Sequence, residues 1–73
     1  MVTGMEVVRY GKNIEVPHID ERLGDLEFWI GTMEYDGKLY QVEWGFIEDE
    51  VHESVDDYDW LNEDCVLSVQ ELN

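Results

Sequence analysis

Nine of the seventeen residues from Glu48 to Asp64 are carboxylates: Glu48, Asp49, Glu50, Glu53, Asp56, Asp57, Asp59, Glu63 and Asp64. Acids at that density could hold a hard cation, work as paired acid and base, or meet a basic surface with fixed negative charge. The first use lacks a motif. The calcium loop of an EF-hand needs a glycine at its centre, and Glu48 to Asp64 contains none. His18 and His52 share no metal-ligand spacing, so neither a metal nor any other cofactor is expected.

Catalysis is not expected either. The chain has no Gly-rich phosphate loop, no G-x-S-x-G elbow and no H-E-x-x-H pair. Cys65, the only cysteine, could pair with His18 or His52 as a nucleophile. A negative field raises a thiol pKa, however, where a nucleophile needs it lowered. Cys65 is more simply a small core residue, and a chain of 73 residues has little room for an enclosed pocket.

The third use fits what is missing. Up to Lys38 there are 8 acids and 4 bases; after it there are 11 acids and no base, giving −4 and −11 and a total of −15. An ordinary acidic helix carries Lys or Arg four residues along, and this segment has neither. Such a field repels nucleic acid and anionic lipid and attracts basic surfaces. Duplex DNA carries about one charge per 1.7 Å of axis, so a protein imitating it needs many carboxylates on a small surface. Salt adaptation is the competing explanation, but a chain with three tryptophans and no alanine has the wrong composition for it.

The sequence therefore predicts a small acidic inhibitor that occupies the nucleic-acid-binding surface of a basic protein and excludes DNA or RNA. In size, charge and aromatic content it resembles the small acidic phage and plasmid proteins that disarm host defence nucleases, repair enzymes or nucleoid proteins. That likeness is of composition alone. The expected contact residues are the nine acids together with Trp60, either an aromatic anchor within the acidic rim or a ring folded back into the core. The alternative is an adaptor or antitoxin that binds a basic partner without imitating nucleic acid. A homodimer paired through a free sheet edge is compatible with both. No direct nucleic-acid or membrane contact is expected, and the absence of a targeting pattern or long apolar run predicts a cytoplasmic location.

These residues need a scaffold, and 44% apolar residues predict one folded domain over 1–73 in place of an acidic disordered tail. Asp36-Gly37 lies between two strand-like runs, Leu26 to Tyr35 and Lys38 to Ile47, and reads as a two-residue β-hairpin turn. The register then pairs Trp29 with Trp44, Gly31 with Val42, Met33 with Tyr40 and Tyr35 with Lys38. Trp29, Met33, Tyr35, Tyr40, Val42, Trp44 and Phe46 share the predicted core face. Met5–Tyr10 and Asn13–Val16, around Gly11-Lys12, read as a further hairpin or a broken strand. Asp20 to Asp25 is a polar connection with room for one helical turn. A short acidic helix places Val51, Val55 and Tyr58 on one stripe, and Cys65 to Leu72 forms a last strand with Cys65, Leu67 and Val69 on one face. The expected fold is α+β, a small antiparallel sheet centred on the hairpin with one short acidic helix before the C-terminal strand.

Charge at this density opposes compaction. The melting temperature should be higher in roughly 1 M NaCl than in roughly 0.01 M, because the Debye length falls from about 30 Å to about 3 Å. Thermal melts at the two salt levels check this, and an unchanged midpoint would mean that the charges are compensated locally.

Overall fold

The computed structural model describes residues 3–47 and 58–72. In chain order they form helix α1 (Gly4–Tyr10), strands β1 (Lys12–Leu23), β2 (Leu26–Tyr35) and β3 (Lys38–Ile47), a 3₁₀ turn at Glu63–Cys65, and strand β4 (Val66–Glu71). The strands make one antiparallel sheet in the order β1-β2-β3-β4. This is the expected α+β architecture, with the hairpin at its centre and an acidic 3₁₀ turn just before the final strand.

The hairpin has the register that the sequence predicts, with Trp29 opposite Trp44 and Tyr35 opposite Lys38. Asp36 and Gly37 have φ of 52° and 76°, the left-handed pair that a type I′ turn requires. Side chains of one parity along β2 and β3 form the core: Trp29, Met33, Tyr40, Val42, Trp44 and Phe46 are buried, with Tyr35 packed at their edge. Val7 and Val8 from α1 close over this face.

The N-terminal segment departs from expectation, since Met5–Tyr10 belongs to a helix and not to a strand. Thr3 caps it, its hydroxyl accepting from the Glu6 backbone N–H at 3.2 Å. Thr3-Gly4-Met5-Glu6 has the spacing of a capping box. The Glu6 carboxylate accepts from the Tyr35 hydroxyl at 3.2 Å, tying α1 to the hairpin. That bond and partial desolvation raise the pKa of Tyr35. So short a helix is unstable alone, and burial of Val7 and Val8 outweighs the strand preference of its valines. It ends at Gly11, where a Cβ would sit only 2.4 Å from the Val7 carbonyl oxygen.

Two other segments also differ. Asp20 to Asp25 is not a helical connection; β1 runs on to Leu23 and turns tightly through Gly24 (φ 61°) and Asp25 into β2. Around Pro17, which has no N–H to give a ladder, the register shifts between Glu15 and His18, as expected for proline on an edge strand. In β4, Val66 pairs with Trp44 and Ser68 with Glu43, leaving Leu67 as an extra residue. That bulge breaks the alternation. Cys65, Val66 and Val69 pack against the core, while Leu67 is exposed and does not share their face.

Trp44 is 1% exposed and central to the core. Trp44→Ala should cost about 3–5 kcal/mol, a large share of the stability of so small a domain. Gly37→Val should also destabilise, because a β-branched residue resists φ > 0. Chemical denaturation of the two variants measures both effects; wild-type midpoints would mean that the core lies elsewhere.

Candidate functional site

Of the expected contact residues, Glu48, Asp49, Glu50, Glu53, Asp56 and Asp57 lie outside the described residues, as do Val51 and Val55 of the expected helix. The chain leaves β3 at Ile47 and is described again from Tyr58, whose ring lies 4.9 Å from that of Phe46. Both ends of the acidic segment therefore meet the sheet at the end opposite the Asp36-Gly37 turn. Asp59, Glu63 and Asp64 are exposed; Asp64 lines a groove with Leu26 and Ile47 at that same end, and Glu63 lies beside Thr3 and Gly4 at the start of α1. Among the described residues, no ion pair involves any of the three.

Tyr58 to Cys65 is a series of turns. The Trp60 N–H donates to the Tyr58 carbonyl, the Asn62 N–H to Asp59 and the Cys65 N–H to Asn62. Asn62 caps the 3₁₀ turn, its side-chain oxygen accepting from the Asp64 N–H at 3.0 Å. Tyr58 and Trp60 stack at 5.4 Å with 28° between their rings. Residues two apart on a helix would face opposite ways, so the helical stripe does not extend through this pair.

Trp60 has folded back into the core. Its ring meets Trp44 at 5.0 Å, Phe46 at 5.2 Å and Trp29 at 5.5 Å, each edge to face. Its carbonyl accepts from the Trp44 indole N–H at 3.0 Å, which satisfies the polar atom of the most buried tryptophan. Trp60 is half-buried, a structural ring that contributes an edge to the surface.

The anchor of this region is a residue the sequence reading missed. Glu27 is buried on the core face, and its Oε1 accepts from the Trp29 indole at 3.3 Å and from the Tyr58 hydroxyl at 3.0 Å. Its Oε2 meets Arg22 Nη2 at 3.0 Å. One carboxylate thus joins β1, β2 and the chain returning from the acidic segment. A sequence signal for it existed: Glu27 shares the parity of Trp29, Gly31 and Met33, so the period-2 pattern places a charge on the core face.

The charge distribution is polar along the sheet. Arg9, Lys12 and Lys38 sit near the Asp36-Gly37 turn, where Lys12 lies opposite Glu34 and Lys38 pairs with Glu71 at 3.3 Å. The Glu71 bond raises the pKa of Lys38. Arg22, the fourth base, is at the other end and is engaged by Glu27. That end also carries Asp20, Glu21 and Asp25, all exposed, which the β1–β2 turn brings beside the residues that flank the acidic segment. The Gly24-Asp25 turn signal could have placed them there.

Among the described residues, no three His, Cys, Asp or Glu side chains converge as a metal site. No described helix is long and apolar enough to cross a membrane. A cleft of about 340 Å³ opens between α1 and the Trp60 turn, lined by Val8, Pro17, Met33, Trp44 and Leu61 among others and by no titratable side chain. Comparisons with protein-family models, with characterised proteins and with solved structures find no match.

Removing the Glu27 carboxylate would leave Tyr58 and Trp29 without their acceptor. Glu27→Ala should cost about 1–3 kcal/mol, and amide exchange should accelerate over residues 58–65 more than in the Asp36-Gly37 hairpin. Exchange rates read by NMR check this. Uniform acceleration would mean that Glu27 does not tether the returning chain in particular.

Proposed function

We propose that the protein is an inhibitor that binds the basic nucleic-acid-binding surface of a nuclease, repair enzyme or nucleoid protein and thereby excludes DNA or RNA. The observation that carries the proposal is the segregation of charge. Three of the four basic side chains gather at the hairpin-turn end, and the fourth is held by a buried carboxylate. The opposite end carries Asp20, Glu21, Asp25, Asp59 and Asp64, and both ends of the segment holding six more acids meet the sheet there. A solvated face would serve as well with interspersed lysines, whereas a surface that must compete with phosphates gains from their exclusion.

The aromatic cluster supports this reading in a second way. Rigid packing of Tyr58 and Trp60 holds the returning chain to the sheet, so the exposed carboxylates at 59, 63 and 64 have defined positions. Fixed charges bind a rigid basic groove at lower entropic cost than mobile ones.

The test uses the protein immobilised in a bacterial lysate, with captured proteins eluted by duplex DNA or by RNA at constant salt. Nucleic acid should release the partner, and capture should weaken with rising salt. Asp56→Lys with Asp57→Lys, and separately Asp59→Lys with Asp64→Lys, should reduce capture at least tenfold, since like charges across an interface cost several kcal/mol. Glu15→Lys with Glu34→Lys, away from this end, should change it little. A partner that keeps both the protein and its nucleic acid in a ternary complex would establish the adaptor reading. Indifference to both double reversals would reduce the acids to a solvated surface.

A further inference from the structure

The sheet has two faces, and α1, Tyr58 and Trp60 all pack on the one that holds Trp29 and Trp44. Among the described residues, no helix or strand lies over the other. Cross-strand register orders that open face into rows. Leu23, Leu26 and Ile47 form the first row, at the acidic end. Glu21, Phe28 and Gly45 form the second, and Leu67 from the β4 bulge fills the space above Gly45. His18, Ile30, Glu43 and Ser68 form the third. Beyond that the face is mostly polar, with Leu39 exposed near the hairpin turn. Leu23, Leu26, Ile47 and Leu67 are 58%, 36%, 57% and 49% exposed, so the apolar patch is open to solvent.

We propose that this patch docks an amphipathic helix of the basic partner, apolar along its centre and lined with Lys or Arg on its borders. The inference rests on the function proposed above for the partner's charge, and adds the surface and the anchor. Dimensions agree: four strands about 4.8 Å apart make the patch about 14 Å wide, against a helix diameter of about 10–12 Å. Its three rows span about 14 Å along the strands at about 3.4 Å per residue, or between two and three helical turns.

Charge selects the occupant. Glu21 and Glu43 border the patch on opposite strands, Asp25 stands at its turn, and Asp64 lines its groove with Leu26, Ile47 and Leu67. No Lys or Arg faces these three rows, because Arg22 pairs with Glu27 across the other face and Lys12 lies at the far end. A second copy of this chain would set the same acids against one another, where like charges cost several kcal/mol. An apolar stripe with basic borders satisfies both the centre and the rim, as in other helix-in-groove contacts.

The probe is a synthetic Leu/Lys amphipathic peptide, compared with a scrambled peptide of identical composition. NMR titration of the wild-type protein should shift Leu23, Leu26, Phe28, Ile30, Ile47 and Leu67, and the scrambled peptide should bind at least tenfold more weakly. Leu26→Gln with Ile47→Gln, both at exposed positions, should weaken the amphipathic peptide at least tenfold while leaving the melting temperature near wild type. Glu21→Lys with Glu43→Lys provides a second variant and should do the same. Equal binding of the two peptides, with no effect of the Gln variant, would overturn the docking face yet leave the charge-based function standing. Shifts confined to the Val8, Met33 and Leu61 cleft would overturn it too, as would a wild-type dimer in sedimentation that the Gln variant dissociates. If neither peptide binds, the docking face fails, whereas the function proposed above stands or falls on the release of its captured partner by nucleic acid.

Discussion

A single buried carboxylate organises the acidic end of this protein. Glu27 sits on the core face among aromatic rings, where an unpaired charge would be prohibitively costly. It is tolerated because donors from three parts of the chain converge on it: Arg22 on β1, Trp29 on β2, and Tyr58 at the return from the acidic segment. Each donor is thereby placed. The β1–β2 turn, the central hairpin and the Tyr58 turn are held to one point, which gives the Asp59 to Asp64 region its location relative to the sheet.

The aromatic rings act through the same residues. Trp29, Trp44, Phe46, Tyr58 and Trp60 pack in tilted, edge-to-face or stacked pairs with centroids 4.9–5.5 Å apart, the separations at which aromatic pairs attract beyond simple burial. A chain of this length buries little surface in total. Concentrating large rings at one end of one sheet face offsets the repulsion among the acids gathered there. The stabilising core and the destabilising charge thus occupy the same end, and a basic partner that relieved the repulsion would stabilise the fold as it bound.

The two sheet faces divide the work. One is filled by the rings and by Val7 and Val8 of α1, which leaves no room on it for a partner beyond the cleft beside Trp60. The other keeps Leu26, Phe28, Ile30, Ile47 and Leu67 in a patch bordered by acids. An interface built on charge alone gains rate and salt sensitivity more than affinity, and a central apolar contact within a charged rim is what supplies tight binding. In the docking proposed above, the open face would give the acidic end such a centre.

Sequence alone determined the central hairpin, because Asp36-Gly37 dictates its turn type and the period-2 alternation on either side admits only one register that buries both Trp29 and Trp44. It also determined the net charge and the exclusion of basic residues after Lys38, which are properties of composition. Tertiary structure decided the rest. Met5–Tyr10 became a helix because capping by Thr3 and burial of Val7 and Val8 outweigh local strand preference. Leu67 left the core face because a bulge opposite Glu43 and Trp44 shifts parity, and such a shift depends on the partner strand. Trp60 joined the core because its carbonyl and ring both meet groups about sixteen to thirty residues away in sequence, and no local pattern reports such distances. Glu27 is the intermediate case: its parity was legible, but its tolerance inside the core required donors that only the folded chain assembles.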